Sequence, residues 1–238
     1  MNLKIIIATN NLKIIEKCYG AIDRIMIDFE NHTYDSLDGP YTIEDLKKIR
    51  LEFPDKDIVI RLARESDSWD KELINELVSY NPNYILAPMI KSGADLERLR
   101  EIVPNNIDII PMIETPESLI RIKEIASCIG TKEAHIGLHD LGKVFNTQSM
   151  SRIIASGLVD YLCHSMMQMN LKYGFIGYYF SKNKISYKNI IQKHLDLYSS
   201  RIIFHSCHLR SHLQSENYND YKNFILKYLE YYNLKARR

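Results

Sequence analysis

Short runs of β-branched and apolar residues alternate with longer amphipathic stretches along the whole chain. The runs have the length of strands, and the stretches between them carry apolar residues at helical spacing. The strand-like runs lie at residues 3–9, 24–29, 57–62, 84–89, 107–114, 133–138, 173–180 and 201–207. Eight strands, each followed by a helix, are typical of a closed barrel. We therefore predict an α/β protein in which residues 1–238 form one (β/α)8 barrel, a TIM barrel.

A doubly wound open sheet is the alternative for such an alternating chain. It would need a glycine-rich phosphate-binding turn after an early strand, whereas Gly20, Gly39 and Gly93 each stand alone. The pattern is least regular between the sixth and seventh strands. There we expect a helix over residues 149–169 and a loop over the barrel mouth.

Composition and charge narrow the class of protein further. The 238 residues are 45% hydrophobic and 26% charged, which is ordinary for a globular domain. A net charge of +1 gives no reason to expect nucleic acid or an anionic membrane as a partner. No apolar run is long enough to cross a bilayer, and the N-terminus resembles a first strand, not a signal peptide. The four cysteines are scattered without CxxC pairing, so we expect a reduced, cytoplasmic setting.

Charged residues occupy alternate positions near the end of the second predicted strand. In a barrel strand, alternate side chains face the helices and the interior. Ile25 and Ile27 share one side of the strand, whereas Met26, Asp28 and Glu30 share the other. Because the apolar pair suits the helices, both carboxylates should point inward near the carboxyl end of the strand.

Three further charged residues fall at the same end of the predicted barrel. Arg61 has the inward parity in the third strand, and Glu114 comes last on the inward side of the fifth. Asp140 lies in the turn after the sixth strand. Barrel enzymes place their chemistry at this end. Glu114 and Asp140, with water and an oxyanionic substrate, would form a site for a hard divalent cation. Arg61 would then grip a substrate carboxylate.

A structural role for Arg61 is the alternative. The guanidinium would simply neutralise Asp28 or Glu30 inside the barrel. Buried ion pairs of that kind perturb pKa values without doing chemistry. The parity of the strands alone leaves both interpretations open.

Five segments resemble one known family. IDFEN, IRLA, LAPMIKSGADLERL, IIPMIETPESL and HIGLHDL are similar in order and spacing, from about residue 24 to about residue 142, to the HpcH/HpaI aldolase and citrate lyase β-subunit family. The specific combination is PMIETP followed by GxxDL, with an arginine at the end of strand three. The resemblance implies the barrel of the phosphoenolpyruvate/pyruvate superfamily. It also implies a metal-dependent carbon–carbon lyase or aldolase acting through the enolate of a 2-oxoacid of the pyruvate or oxaloacetate type.

The resemblance also implies roles for the charged residues. Glu114 and Asp140 match the two protein ligands of a Mg²⁺ or Mn²⁺ ion. Arg61 matches the arginine that steadies the carboxylate or enolate oxygen of the substrate. Asp28 and Glu30 fall in the motif that lies close to the waters of the metal. All four carboxylates and the arginine are thus expected at one site.

Other positions of the family motif bear on substrate and base. The backbone amides near Gly137 and Leu138 would hold the substrate carboxylate. Met112, a further substrate-binding position, stands where the aldolase branch tends to carry glutamine, and the subfamily stays open. Where that branch has a histidine base, this chain has Asn31, with His32 next. His32 or a metal-bound water would have to act as the base, because asparagine cannot do so at neutral pH.

Alternative functions remain. The enzyme would act on an acyl-CoA ester if it follows the citrate lyase branch. Alternatively, the barrel would have lost its catalytic activity and would serve as a binding or regulatory protein. Relatives are often trimers or hexamers, so the resemblance alone predicts a homo-oligomer.

The end of the eighth strand, FHSCHLRSH, offers a separate candidate. His205 and Cys207 share a parity there. His208 and His212 are four residues apart, but no helix is signalled for them. Zinc would require three or four such ligands within reach, and we favour substrate contacts or packing for this segment.

Overall fold

Eight parallel strands pair in chain order and close into a barrel in the computed structural model. The structure describes residues 3–30, 39–63, 69–128, 130–147, 149–176, 186–213 and 218–236. The strands are β1 (Lys4–Ala8), β2 (Arg24–Asp28), β3 (Asp57–Arg61), β4 (Tyr84–Ala87), β5 (Asp108–Ile113), β6 (Glu133–Ile136), β7 (Lys172–Ile176) and β8 (Arg201–His205). β1 pairs with β2 on one side and with β8 on the other, which closes the ring. The predicted (β/α)8 barrel is confirmed.

Helices surround the barrel and follow the strands. They are α1 (Leu12–Cys18), α2 (Ile43–Glu52), α3 (Lys71–Ser79), α4 (Gly93–Arg100), α5 (Pro116–Ile120), α6 (Ile122–Ser127), α7 (Leu138–Val144), α8 (Met150–Ala155), α9 (Leu158–Gln168), α10 (Tyr187–Asp196), α11 (Ser206–Leu213) and α12 (Tyr218–Ala236). Helix starts follow their sequence signals, since Thr42 and Asp45 form a reciprocal capping box before α2 and Pro116 is the first residue of α5. In the described ranges, no helix is long and apolar enough to span a membrane.

Two expectations about helices were wrong. The helix predicted over residues 149–169 is divided into α8 and α9, because Gly157 adopts a left-handed backbone with φ of +82° between them. The strand predicted over 201–207 ends at His205, and a helix that was not expected, α11, begins at the next residue. His208 and His212 therefore do lie on a helix. The other predicted strands are confirmed to within a few residues at each end, apart from residues 177–180, which lie outside the described ranges.

Apolar residues form two separate cores. One lies between the barrel and the helices and includes Ile25 and Ile27. The other fills the barrel interior and includes Met26 and Met112. The separation confirms the strand parity inferred from the sequence. The interior core fills the barrel beneath the side chains at the carboxyl ends of the strands.

An ion-pair cluster fills the amino end of the barrel interior. Arg24 on β2 makes two hydrogen bonds to Glu133 on β6, at 2.7 and 3.1 Å. Arg201 on β8 pairs with the same carboxylate, and the guanidinium of Arg24 lies 3.7 Å from the ring centre of Tyr84 on β4. These strands are not neighbours, so their side chains meet across the barrel. Gly174 on β7 makes room for the cluster, because an added Cβ would lie 2.9 Å from the carbonyl carbon of Arg201 and closer still to its Cγ.

Candidate active site

Arg61 lies in an ion-pair network with two carboxylates at the carboxyl end of the barrel. The register of β2 and β3 places Asp28 directly beside Arg61 on the same face. Arg61 Nε donates to Asp28 Oδ1 at 2.7 Å, and Nη2 pairs with Glu30 Oε2. Asp28 Oδ1 also accepts the backbone N–H of Glu30 at 3.1 Å. The three predicted residues therefore form one buried unit.

This network bears on the two interpretations of Arg61. The guanidinium has five N–H donors, and the ion pairs engage those on Nε and Nη2. Its orientation is thus fixed by Asp28 and Glu30, as the structural alternative requires. A fixed guanidinium is also what a preorganised substrate site needs. The grip of Arg61 on a substrate carboxylate stays a prediction.

Glu114 is held rigidly just after β5. Its side chain is buried, and Oε1 accepts the backbone N–H of Met89 at 2.9 Å. Met89 has a left-handed backbone with φ of +55°, a conformation that side-chain-bearing residues rarely adopt and that clusters at functional sites. Sequence reasoning did not identify Met89, because nothing in its residue type signals this conformation.

Gly137 makes room for the carboxylate of Glu114. An added Cβ at Gly137 would lie 2.7 Å from Glu114 Cβ, 3.0 Å from Cδ and closer still to Oε2. Any side chain at this position would therefore displace the Glu114 side chain. Glycine is therefore needed at position 137, because its single hydrogen atom leaves room for the Glu114 side chain.

Asp140 follows Gly137 by three residues in the chain. It is the third residue of α7, whose N-cap is Gly137, and it is buried. A carboxylate in the first turn of a helix is favoured by the helix dipole. Its Oδ1 lies 2.9 Å from Nζ of Lys143. Because Glu114 packs against Gly137 and Asp140 follows within one turn, both predicted metal ligands lie at this corner of the barrel mouth.

The donor set at this corner fits a hard cation. Carboxylate oxygens are the ligands that Mg²⁺ and Mn²⁺ favour, and Gly137 leaves the space that Glu114 occupies. Across the described residues, no group of three or more His, Cys, Asp or Glu side chains is placed to hold a metal ion. An ion held by Glu114 and Asp140 would take its remaining ligands from water and substrate oxygens. The side chains of His208 and His212 lie outside the described residues, so zinc at the end of β8 stays an untested alternative.

The predicted substrate-binding residues have different environments. The N–H of Gly137 donates to the carbonyl of Ile113 at 3.2 Å, which continues the ladder between β5 and β6. This amide is therefore already engaged within the barrel, and its contact with a substrate carboxylate stays a prediction. Leu138 begins α7, so its amide belongs to the unpaired first turn of a helix. Met112 is buried in the interior core below the mouth. Asn31 and His32 lie outside the described residues.

His135 is a buried interior residue that sequence reasoning missed. It lies on β6, two residues before Gly137 and beside Met112 in the register of β5. Burial, together with the positive charge of Arg61, lowers its pKa from 6.5 to about 3. Its Nδ1 is buried and makes no hydrogen bond to any described residue. His135 is therefore neutral at physiological pH. Its inward parity was the available signal.

The chain was compared with known protein families and with solved structures. The family model described as HpcH/HpaI aldolase/citrate lyase matches residues 5–153, more than half of the chain, and this range contains every predicted site residue. No curated protein sequence matches the chain significantly.

Solved structures share the barrel. The HpcH/HpaI aldolase from Desulfitobacterium hafniense DCB-2 is 11% identical, with 90% of each chain covered and a TM-score of 0.68. The citrate synthase SbnG is 16% identical, with the same coverage and TM-score. The 3-hexulose-6-phosphate synthase from Salmonella typhimurium is 12% identical, with 98% of this chain and 100% of that chain covered and a TM-score of 0.64. At such low identity these likenesses establish the fold alone.

Proposed function

The chain belongs to the HpcH/HpaI aldolase/citrate lyase family, and we propose from this that it makes or breaks a carbon–carbon bond through the enolate of a 2-oxoacid. Lyase or aldolase activity in general follows from the family. The finer proposal is a metal-dependent reaction on a substrate of the pyruvate or oxaloacetate type. The observation that carries it is the packing of the Glu114 side chain against Gly137, the N-cap of the helix whose first turn contains the buried Asp140.

Glu114 and Asp140 would hold a Mg²⁺ or Mn²⁺ ion. Their two negative charges match the charge of the ion, and both carboxylates are buried where water competes little. When bound, the ion would supply a Lewis acid that stabilises negative charge developing on the substrate oxygens. The N–H of Met89 would keep Glu114 in one orientation, so that the ligand is set before the ion arrives.

Arg61 would supply a second positive charge at the reacting end of the substrate. Asp28 and Glu30 fix its guanidinium on two sides, so little reorganisation is needed as charge develops on the enolate oxygen. The same two carboxylates, and His32 beyond the described residues, are the candidates to move a proton. The interior core beneath them, which includes Met26 and Met112, closes the barrel from below and leaves the mouth as the entrance.

Exchange of the pyruvate methyl protons for deuterium tests this proposal directly. The exchange would be followed by proton NMR with Mg²⁺ or Mn²⁺, with a chelator, and with a Glu114→Gln variant. We expect exchange only when both the metal and Glu114 are present, because the amide loses the ligand charge while keeping the shape. Glu117→Gln is the matched control, since Glu117 is exposed three residues further along the chain. Normal exchange by the Glu114→Gln protein would refute the mechanism.

A binding or regulatory protein is the second candidate, and one observation favours it. Arg61 is already paired with two carboxylates, which an interior ion pair without catalytic duty would also show. Metal binding without exchange on pyruvate, oxaloacetate or an acyl-CoA ester would support this candidate. Exchange on the acyl-CoA ester alone would instead place the enzyme in the citrate-lyase-like branch.

A further inference from the structure

Lys143 contacts one of the two proposed metal ligands. It lies one turn after Asp140 on α7, and its Nζ is 2.9 Å from Asp140 Oδ1. The two side chains differ in burial, since that of Asp140 is 11% exposed and that of Lys143 is 55% exposed. The carboxylate is therefore fixed in the protein, whereas the ammonium reaches it from solvent on a flexible four-carbon stem.

The charge of Asp140 needs a positive partner in the metal-free protein. A buried carboxylate is costly when nothing compensates its charge, and the ammonium of Lys143 supplies part of that compensation. A divalent ion on the same carboxylate would lie within about 5 Å of the ammonium, where the two positive charges repel each other. Both cations would therefore compete for Asp140.

We propose that Lys143 takes the place of the metal ion in the metal-free protein and is displaced when the ion binds. This inference rests on the proposed function, because it concerns the same metal site. Lys143 then stabilises the metal-free protein and weakens its affinity for the ion. The two effects have opposite signs, which a lysine with only a structural role would not produce.

A second exposed ion pair provides a matched control. Lys132 Nζ lies 2.8 Å from Asp108 Oδ1, with side chains 66% and 26% exposed. This pair joins residues at the amino ends of β5 and β6, at the opposite end of the barrel from Glu114. Replacing Lys132 changes the net charge of the protein as replacing Lys143 does, but leaves the proposed site untouched.

Manganese titration by calorimetry, without substrate, tests the proposal. The proteins are the wild type, Lys143→Met, Lys143→Arg and Lys132→Met. We expect Lys143→Met to bind Mn²⁺ about threefold to tenfold more tightly, since a repulsive charge is removed and salt screens part of the effect. Its metal-free melting temperature should fall by about 1–3 °C. The other two variants should bind Mn²⁺ within about twofold of wild type.

The outcomes separate this inference from the proposed function. Unchanged or weaker binding by Lys143→Met, with normal binding by the wild type, overturns the role of Lys143 alone. An equal gain in Lys132→Met also overturns it, because net charge would then be the cause. A wild type that binds no Mn²⁺ overturns the proposed metal dependence, and this inference with it.

Discussion

Alanine at Gly137 should disrupt the proposed metal site through a steric clash alone. The backbone φ of Gly137 is −87°, so alanine would meet no left-handed strain. Its Cβ would lie 2.7 Å from Glu114 Cβ and 3.0 Å from Cδ. Carbon atoms pack comfortably at about 3.5–4.0 Å, so the two side chains must separate by roughly 1 Å.

The size of that displacement sets the expected loss. Metal–ligand distances in a working site hold to about 0.2 Å, so a shift of roughly 1 Å in Glu114 should weaken Mn²⁺ binding by at least about tenfold. Overpacking also costs about 1–3 kcal/mol of folding free energy. For a chain of 238 residues this lowers the melting temperature by roughly 3–10 °C.

Calorimetric Mn²⁺ titration and thermal unfolding would measure both effects of Gly137→Ala. Gly20→Ala is the control, because an added Cβ at Gly20 meets no described atom within 4 Å. We expect wild-type affinity from the control. Wild-type affinity from Gly137→Ala would show that Glu114 either does not bind the metal or does not depend on the space at Gly137.

Two further predictions concern stability. Glu133→Gln should lower the free energy of unfolding by about 3–5 kcal/mol, because it leaves two buried guanidinium groups without their shared carboxylate. Urea unfolding would measure this loss, with Asp108→Asn at an exposed ion pair as the control. A loss below about 1 kcal/mol, which is what we expect of the control, would contradict the prediction. Acid should destabilise the fold through His135 and His194, whose burial lowers both pKa values to about 3 in the folded protein. Between pH 6.5 and pH 3 the unfolded chain binds protons that the folded protein refuses, so stability is fully present above pH 6.5 and falls as the pH decreases. Each histidine should lower the free energy of unfolding by about 2 kcal/mol at pH 5 relative to pH 7. Urea unfolding of a His194→Gln variant should show about half of the wild-type loss of stability over that interval. A loss equal to that of the wild type would contradict the role given to His194.

The period of two in a strand explains why part of the site could be predicted. Asp28, Arg61 and Glu114 follow apolar residues of known parity, so their inward direction was fixed once each strand was recognised. Asp140 was found differently, from its place in the turn after the sixth predicted strand. These predictions needed only local patterns.

Other features depend on three-dimensional geometry that no local pattern contains. The pairing of Arg61 with both Asp28 and Glu30 depends on the register between β2 and β3. The left-handed backbone of Met89 is not a conformation that methionine prefers. The division of α8 from α9 was overlooked because glycine within a helical pattern is often tolerated, and only its φ shows that Gly157 ends the helix.

The cluster at the amino end also constrains how the chain reaches its native state. Arg24 and Glu133 are 109 positions apart, and Glu133 and Arg201 are 68 positions apart. Contacts of such high sequence separation form only after long loops have closed, which slows folding. A partly assembled barrel that lacks β8 would bury Glu133 with one of its two arginines missing. The cluster therefore destabilises incomplete barrels. The other strands gain its full stabilisation only after β8, the last of the eight strands to be synthesised, has joined the barrel.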